Sequence, residues 1–498
     1  MRGVNAAYVE LKERLGEIQD LQKTRSFLAW DQQVLMPAGG SGVRAEQIAT
    51  LDRIAHSSFI SAEIGRLLGR LEAFEAARPY DSDEASLIRV TRLDWEKARR
   101  VPADLRADMS RASSLALPVW AEARQNSDFS LFLPLLRQNL ELRRRYVECF
   151  DAYDEPYDAL LDDYERGTTS AEVRVVFDRL KTEQVPLVAS GTREGSRPAR
   201  DRPFPLEGQQ KFELRVLELF GFDRTSWRLD PTVHPFASSL GIDDIRLTTR
   251  YHETNLDGLF GSLHECGHGL YEHGVSRTLE RTPLARGTSL GLHESQSRLW
   301  ENLVGRSLPF WRFFYPLLRE TFPEALAAVE LEDWYSSVNW VQPSPIRVEA
   351  DEATYNLHVI LRFELEQELL AGSVDLAELP ELWNARMLEY LGIEPPNDRL
   401  GVLQDVHWAG GHIGYFATYA LGNVISAQIW ERLSAELPDL DDQFAQGEFG
   451  ELRAWLTERL YRHGRKFTPK ETLERVVGGP IDPEPYLRYL GTKLATLA

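Results

Sequence analysis

The sequence predicts a mainly α-helical fold with one small β-sheet. Helical periodicity dominates, and near the start of the chain an apolar stripe at three- and four-residue steps comprises Tyr8, Leu11, Leu15, Ile18 and Leu21. The same periodicity is found around residues 83–99, 129–153, 171–187, 355–371 and 450–463. Strand patterns are rare, and the best is Ile245 to Tyr251, where β-branched and aromatic residues cluster.

Breaks in this periodicity are local rather than of domain size. The segment Met36–Ser41 predicts a turn after the first long helix, because it combines a proline with two glycines. Residues 189–205 are rich in Gly, Pro, Ser and Arg, which is typical of a linker or of an exposed loop within one architecture. The 498 residues contain no internal repeat and no low-complexity tract, so they do not require more than one domain.

Composition and charge exclude several classes of function. The formal net charge is −20 and the pI is about 5.1, whereas a surface for nucleic acid or acidic lipid needs clustered Lys and Arg. Two cysteines, Cys149 and Cys266, are too few for a disulfide scaffold. The N-terminal residues lack the apolar run of a signal peptide, and no window is apolar enough to span a membrane. We therefore expect a cytoplasmic protein that binds neither nucleic acid nor membranes.

The most specific motif is His264-Glu265-Cys266-Gly267-His268. On a helix, residues i and i+4 lie on one face, so the two imidazoles can converge on one cation at about 2 Å from each ring nitrogen. Glu265, one residue along, can reach a water molecule beside the cation rather than the cation itself. This arrangement is typical of zinc peptidases, although two surface histidines on an ordinary helix would also fit the pattern.

A catalytic zinc needs a third protein ligand and one open position. The downstream candidates are His273, Glu280, His293 and Glu294. His273 is too close on the same helix, whereas His293 and Glu294 begin a second helical stretch at a distance that suits a helix, a loop and a return helix. We favour Glu294 and keep His293 as its rival, and Glu301 is a candidate hydrogen-bond partner for a ligating histidine. Two histidines with one carboxylate select Zn²⁺ over hard cations, and Co²⁺ or Mn²⁺ would substitute in vitro.

Further sequence blocks give the chain a resemblance to a known family, the Taq-type thermostable metallocarboxypeptidases. The resemblance extends over nearly the whole chain, and its blocks occur in a specific order. They are WDQQVLMPAGG (30–40), HPF (234–236), DIRLTTRY (244–251), HECGH (264–268), HESQSRLWEN (293–302), IRVEAD (346–351), TYNLH (354–358), GVLQDVHW (401–408) and GYFATYALG (414–422). One departure is Ala417, where the family is expected to have proline.

This resemblance implies a large helical, zincin-like fold with a deep substrate cleft and a small β-sheet next to the active-site helix. It implies a single catalytic domain over residues 1–498, in which the N-terminal helical part, about 1–200, forms one cleft wall or lid. It also implies a homodimer, one zinc ion per chain and peptide substrates with a free C-terminus.

The expected chemistry assigns further residues. Glu265 would act as general base, taking a proton from the attacking water and passing it to the leaving amine. The oxyanion of the intermediate needs a donor besides the metal. Tyr355 is the first choice, because its segment resembles the helix that carries such a tyrosine in angiotensin-converting-enzyme-like peptidases. His407 and Tyr415 are the alternatives, and packing or hydrogen bonding would explain each of these three residues as well.

A carboxypeptidase must also recognise a free terminal carboxylate, which suits the planar fork of an arginine. Arg347 and Arg246 look like arginines of the family's motifs. We expect Arg347 to contact the carboxylate and Arg246 to close or brace the cleft end, although ion pairs with the nearby Asp351 and Asp244 would explain both. The predicted substrate-binding residues are Arg347, Arg246, Gln404, Asp405 and Tyr415.

The leading hypothesis is a zinc-dependent carboxypeptidase that releases single amino acids with broad specificity. An endo-acting oligopeptidase or a dipeptidyl carboxypeptidase would use the same zinc chemistry. A non-catalytic zinc-binding protein is a third reading, but a structural zinc site needs no base such as Glu265.

Overall fold

Helices account for most of the chain in the computed structural model, which describes residues 2–193, 197 and 200–497. Helices α1 to α10 are Arg2–Val34, Ser41–Phe59, Ala62–Arg70, Glu72–Ala76, Asp83–Arg100, Ala103–Asn126, Phe129–Val147, Pro156–Leu161, Ser170–Gly191 and Leu206–Phe220. Strands β1 to β3 are Trp227–Pro231, Ala237–Gly241 and Asp244–Thr249. Helices α11 to α22 are Asp257–His273, Leu290–Arg298, Leu308–Thr321, Pro323–Leu326, Leu331–Val338, Tyr355–Ala371, Leu379–Leu391, Ala417–Glu436, Leu440–Phe444, Gly450–Arg459, Pro469–Val477 and Glu484–Leu497.

The predicted mainly helical fold with one small sheet is confirmed. Every segment with helical periodicity is helical over most of its length, and α16 has the predicted bounds. Helix α7 ends six residues before the predicted position 153, in a turn at Glu148–Phe150. The expected linker or loop at 189–205 begins as the end of α9, and residues 194–196 and 198–199 lie outside the described part.

The sheet has the order β1-β3-β2, so β2 is an edge strand. Strands β1 and β3 are parallel, with Trp227 opposite Ile245, whereas β2 is antiparallel to β3, with Ala237 opposite Leu247. Helix α11 packs across this sheet. A side chain at Gly269 would come within 2.4 Å of Trp227, so glycine is required there for the helix to lie this close.

Helix α12 packs against α11 on one side and against α18 on the other. An ideal Cβ on Gly267 of α11 would be 2.5 Å from the carbonyl oxygen of Gln296 in α12. An ideal Cβ on Gly422 of α18 would be 2.5 Å from Cγ of Glu294 in α12. Two glycines therefore set the close spacing of the α11–α12–α18 layers around the metal motif.

The N-terminal helices pack as a separate unit of the core. Apolar side chains of α1, α3, α4 and α5 form a hydrophobic cluster with five residues near the C-terminal end of α11, namely Ile242, Val275, Leu279, Leu284 and Ala285. Lys23 of α1 donates a hydrogen bond to the carbonyl oxygen of Ser239 in β2, at 2.7 Å. Helix α1 is thereby fixed beside the edge strand. Within the described residues, no helix is long and apolar enough to cross a membrane.

Candidate active site

Two helices bring the predicted ligands together. His264 and His268 are one turn apart on α11, and Glu294 faces them from α12. Nε2 of each histidine lies 3.5 Å from Oε2 of Glu294, and the three ligand atoms lie within 4.8 Å of one another. In the part of the chain that the structure describes, no other group of three such side chains converges in this way.

The outer nitrogen of His264 has a carboxylate partner. Nδ1 of His264 donates to Oε2 of Glu301 at 2.9 Å, and Glu301 lies on a π-helical turn that continues α12. Arg298 donates to Oε1 of Glu294 at 2.8 Å and to Oε2 of Glu301 at 3.2 Å. This arginine therefore fixes both carboxylates relative to each other. A carboxylate behind a ligating histidine fixes its tautomer and raises its basicity.

The outer nitrogen of His268 has a different partner, His293. The two Nδ1 atoms are 2.6 Å apart, and Nε2 of His293 lies 2.8 Å from Oε1 of Glu272. Because Glu272 accepts, His293 carries its proton on Nε2 and accepts at Nδ1 from His268. The backbone N–H of Gly287 also donates to Glu272, at 2.9 Å. His293, the rival ligand, therefore lies behind His268 and outside the converging group.

These contacts test whether the three residues suit a metal ion. Both Nδ1 atoms are protonated and engaged, so both Nε2 atoms present lone pairs toward Glu294. Two imidazole nitrogens and one carboxylate form a donor set that fits Zn²⁺ and leaves a coordination position open. Glu265 lies beside this group and is 8% exposed. Burial raises the pKa of its carboxyl to about 7, against the opposing effect of His264.

The converging group lies in a cleft of about 820 Å³. The outer edge of β2, which pairs with no further strand, contributes Ala237, Ser238 and Ser239 to one wall. An unpaired strand edge can pair with an extended peptide, which suits a peptide substrate. The cleft also has Tyr164, Tyr415, Thr418 and Tyr419 in its lining.

Arg347, Gln404 and Asp405 form one buried network. Arg347 is 4% exposed and donates to Oδ1 of Asp405 at 2.8 Å, and Arg362 pairs with Oδ2 at 2.6 Å. Gln404 accepts from the backbone N–H of Arg347 at 2.8 Å. Burial alone would raise the pKa of Asp405, but the two arginines outweigh it and hold that pKa far below its usual range. The ion-pair partner of Arg347 is thus Asp405, not the nearby Asp351.

The three predicted oxyanion donors differ in position. Tyr355 is buried, and its hydroxyl accepts a hydrogen bond from Arg347 at 2.7 Å. His407 lies 3.2 Å from the hydroxyl of Tyr419, and burial lowers the pKa of its imidazole to about 3. Of the three, Tyr415 alone is part of the cleft lining, and its ring packs edge-on against Tyr419, at 5.2 Å between centroids.

Arg246 lies away from this network, between the sheet and α1. It forms a two-bonded pair with Asp244, at 2.9 and 3.0 Å. Its guanidinium stands 4.4 Å from the ring centroid of Trp30 and 5.0 Å from that of Phe27. It therefore braces the N-terminal helix against the sheet, and Arg246 itself is not among the residues that line the cleft.

Several cleft residues were not found by the sequence reasoning. Lys23, Tyr164, Glu272, Arg286 and Tyr419 all belong to the lining. They come from five separate segments of the chain, and none lies in a motif that by itself signals chemistry. Tyr419 could have been found, because it stands four residues after Tyr415 in the block at 414–422.

The chain is similar to known carboxypeptidases. A family model described as carboxypeptidase Taq (M32) metallopeptidase matches residues 10–494. Thermostable carboxypeptidase 1 of Thermus thermophilus is 42% identical, over 99% of each chain. Carboxypeptidase 1 of Bacillus subtilis is 36% identical, over 98% of each chain. The crystal structure of the M32 carboxypeptidase from Deinococcus radiodurans R1 superposes with a TM-score of 0.95, at 40% identity and 99% coverage of both chains.

These similarities confirm the resemblance that the sequence blocks predicted, and they confirm the helical cleft-bearing fold. Because the family match covers residues 10–494, the converging His264, His268 and Glu294 lie within a metallopeptidase. The protein is a metallocarboxypeptidase and belongs to the carboxypeptidase Taq (M32) metallopeptidase family.

Proposed function

We propose that this metallocarboxypeptidase releases single amino acids, with broad specificity, from peptide C-termini, and that its metal is Zn²⁺. The observation that carries the proposal is the convergence of His264, His268 and Glu294 in the cleft with Glu265 beside them. This donor set favours Zn²⁺ over hard cations, and Co²⁺ or Mn²⁺ would substitute.

The bound metal would polarise the scissile carbonyl and lower the pKa of a water molecule. Glu265 takes the proton from the attacking water and delivers it to the nitrogen of the leaving amino acid. Arg298 and Glu301 hold Glu294 and His264 in place through the contacts described above, so that the ligands do not rotate during turnover.

Tyr415 is the proposed donor to the oxyanion that forms on the substrate. It lines the cleft, and its neighbour Tyr419 restricts its ring. The role of Tyr355 as an oxyanion donor stays a prediction, but the residue is buried and its hydroxyl already accepts a hydrogen bond from Arg347. His407 would act through the hydroxyl of Tyr419. Replacing Tyr415 with Phe tests this assignment. If Tyr415 donates to the oxyanion, the fold decrease in kcat must exceed any fold increase in KM.

Arg347 is the proposed contact for the terminal carboxylate of the peptide. Its guanidinium lies 4.8 Å from the ring centroid of Tyr419, which lines the cleft, and Asp405 and Gln404 fix its position. Arg246 would act indirectly, by bracing the N-terminal helices that form the opposite wall. Residues of α1, α5 and the turn after α8 contribute to the cleft lining, which supports a wall formed by roughly residues 1–200.

The decisive experiment is a mass-spectrometric time course on one peptide and its C-terminally amidated copy, with Zn²⁺ present. We expect successive losses of one residue from the free peptide and no cleavage of the amidated copy. Equal cleavage of both, or release of dipeptides or internal fragments, would support the endo-acting or dipeptidyl alternative instead.

The role of Glu265 is tested separately. Glu265→Gln should abolish turnover while the protein retains its metal, as measured by elemental analysis after dialysis. Turnover in this variant would refute the mechanism. The homodimer that the resemblance implies is also proposed, and sedimentation velocity tests it. A cytoplasmic location stays a prediction.

A further inference from the structure

One arginine in the cleft has no ion-pair or hydrogen-bond partner for its side chain among the described residues. Arg286 lines the cleft and its side chain is exposed there. The cleft acids nearest to it are already engaged. Asp94 pairs with Arg465 and with Arg166, at 2.9 and 2.8 Å, and Glu272 accepts from His293 and from Gly287. Arg286 is therefore a cation without a paired carboxylate, in a chain whose net charge is −20.

Other cations increase this local positive charge. The positive charge of Arg465 acts most strongly on Arg286 and lowers the pKa of this guanidinium to about 10, so that it stays charged at neutral pH. Lys23 stands close by, with its ammonium bonded to the Ser239 carbonyl of the edge strand. Like charges held this close favour binding of an anion, and the further carboxylates of this wall, Asp162 and Asp163, are already paired with Lys97, at 2.6 and 2.8 Å.

We propose that Arg286 forms a subsite for an acidic side chain of the peptide, upstream of the bond that is cleaved. This inference rests on the proposed function, in which Arg347 holds the terminal carboxylate. Arg347 is linked through Tyr355 to Arg298, and so to the His264 side of the metal site. Arg286 lies next to Glu272, on the His268 side. Along this series of contacts, the metal site lies between the two arginines.

The position of the acidic residue follows from the geometry. Glu272 is one helical turn beyond His268, about 6 Å along the axis of α11. An extended peptide advances about 3.3 Å per residue. A peptide paired with the outer edge of β2 would thus place the second or third residue before the released one beside Arg286. We expect the enzyme to favour Asp or Glu at these positions.

The test uses acetylated hexapeptides with a free C-terminus. Each peptide carries Glu, Gln or Lys at one varied position, and this position is the second, third or fourth residue before the released one. The readout is the Glu-to-Gln ratio of kcat/KM for release of the C-terminal residue. We expect a ratio of about five at the second or third position, which falls as salt is raised to about 0.5 M. A ratio near one at every position in the wild-type enzyme overturns the proposal.

Two variants and a matched control complete the design. Arg286→Gln should bring the ratio close to one, and Arg286→Glu should reverse the preference toward Lys. Arg111→Gln changes an exposed arginine of α6, paired with Asp108 and outside the cleft lining, and should keep the ratio. If Arg286→Gln keeps the Glu-to-Gln ratio, the proposal is wrong. This holds also if the variant loses activity equally on all peptides, which is the result expected if Arg286 contacts the terminal carboxylate. Absence of single-residue release from every peptide by the wild type would instead refute the proposed function.

Discussion

Replacing Gly267 with alanine tests how the metal site is positioned. Gly267 is the residue before His268, and a Cβ there would lie 2.5 Å from the carbonyl oxygen of Gln296 and 2.6 Å from Cα of Ser297. Both are backbone atoms, so rotation of a side chain cannot relieve the contact. Reaching an ordinary separation of about 3.5 Å requires α11 and α12 to move apart by roughly 1 Å. Metal–ligand distances tolerate only about 0.2 Å, so Glu294 would be displaced from the two histidines.

The same helix offers a matched control, Gly261, whose Cβ would meet no atom within 4 Å. Gly261→Ala should stabilise the protein by about 0.5–1 kcal/mol, because alanine loses less backbone entropy in a helix. Gly267→Ala gains the same term but incurs an overpacking cost of about 1–3 kcal/mol. We expect the two variants to differ by about 1–3 kcal/mol and Gly267→Ala alone to bind metal at least about tenfold more weakly.

The assays are denaturant unfolding of the metal-free proteins and competition for Zn²⁺ with a chelator of known affinity. The metal-free state is used because a bound ligand shifts the apparent stability. If Gly267→Ala is as stable as Gly261→Ala and retains wild-type metal affinity, the reasoning from close helix packing is refuted.

Three further predictions concern charged groups. Glu272→Gln leaves His293 without its anionic acceptor and should weaken Zn²⁺ binding by about 10–100-fold in chelator competition, and unchanged affinity would contradict this. Burial raises the pKa of Glu366, in α16, to about 7. Between pH 4.5 and 7 the folded protein therefore retains a proton that the unfolded chain has lost. The contribution of this carboxyl to the free energy of unfolding is full below pH 4.5 and is lost as the pH rises toward 7. Glu366→Gln should remove that part of the pH dependence of unfolding, and a profile identical to the wild type would exclude the role. Arg246→Gln removes the contact with Trp30 and should hasten limited proteolysis of α1, while an unchanged cleavage rate would argue against bracing.

The sequence predicted most of the helices and the three side chains that converge at the site, but few of the contacts around them. Helical periodicity gave α16 its bounds, and the spacing of His264 and His268 indicated one face of a helix, because both signals are local. The pairing of Arg347 with Asp405 rather than Asp351 is not local, since 58 residues separate the partners. A sequence motif can therefore identify an arginine of the site, whereas the carboxylate that pairs with this arginine depends on how the chain folds.

The same distinction explains why the glycines around the site carry no signal in one sequence. Gly267 occupies a variable position of the metal motif, and Gly422 lies in an apolar helix, so neither carries an obvious chemical role. In the folded protein, Gly267 lets α12 approach α11, and Gly422 lets α18 pack directly on Glu294. Side chains on two different helices can bind one cation only if the helices keep a fixed distance. Gly267 and Gly422 should therefore determine the geometry of the metal site as much as the proposed ligands do. The metal site is for this reason a property of the packed layers, and a methyl group at either glycine is expected to impair it without touching a ligand's own chemistry.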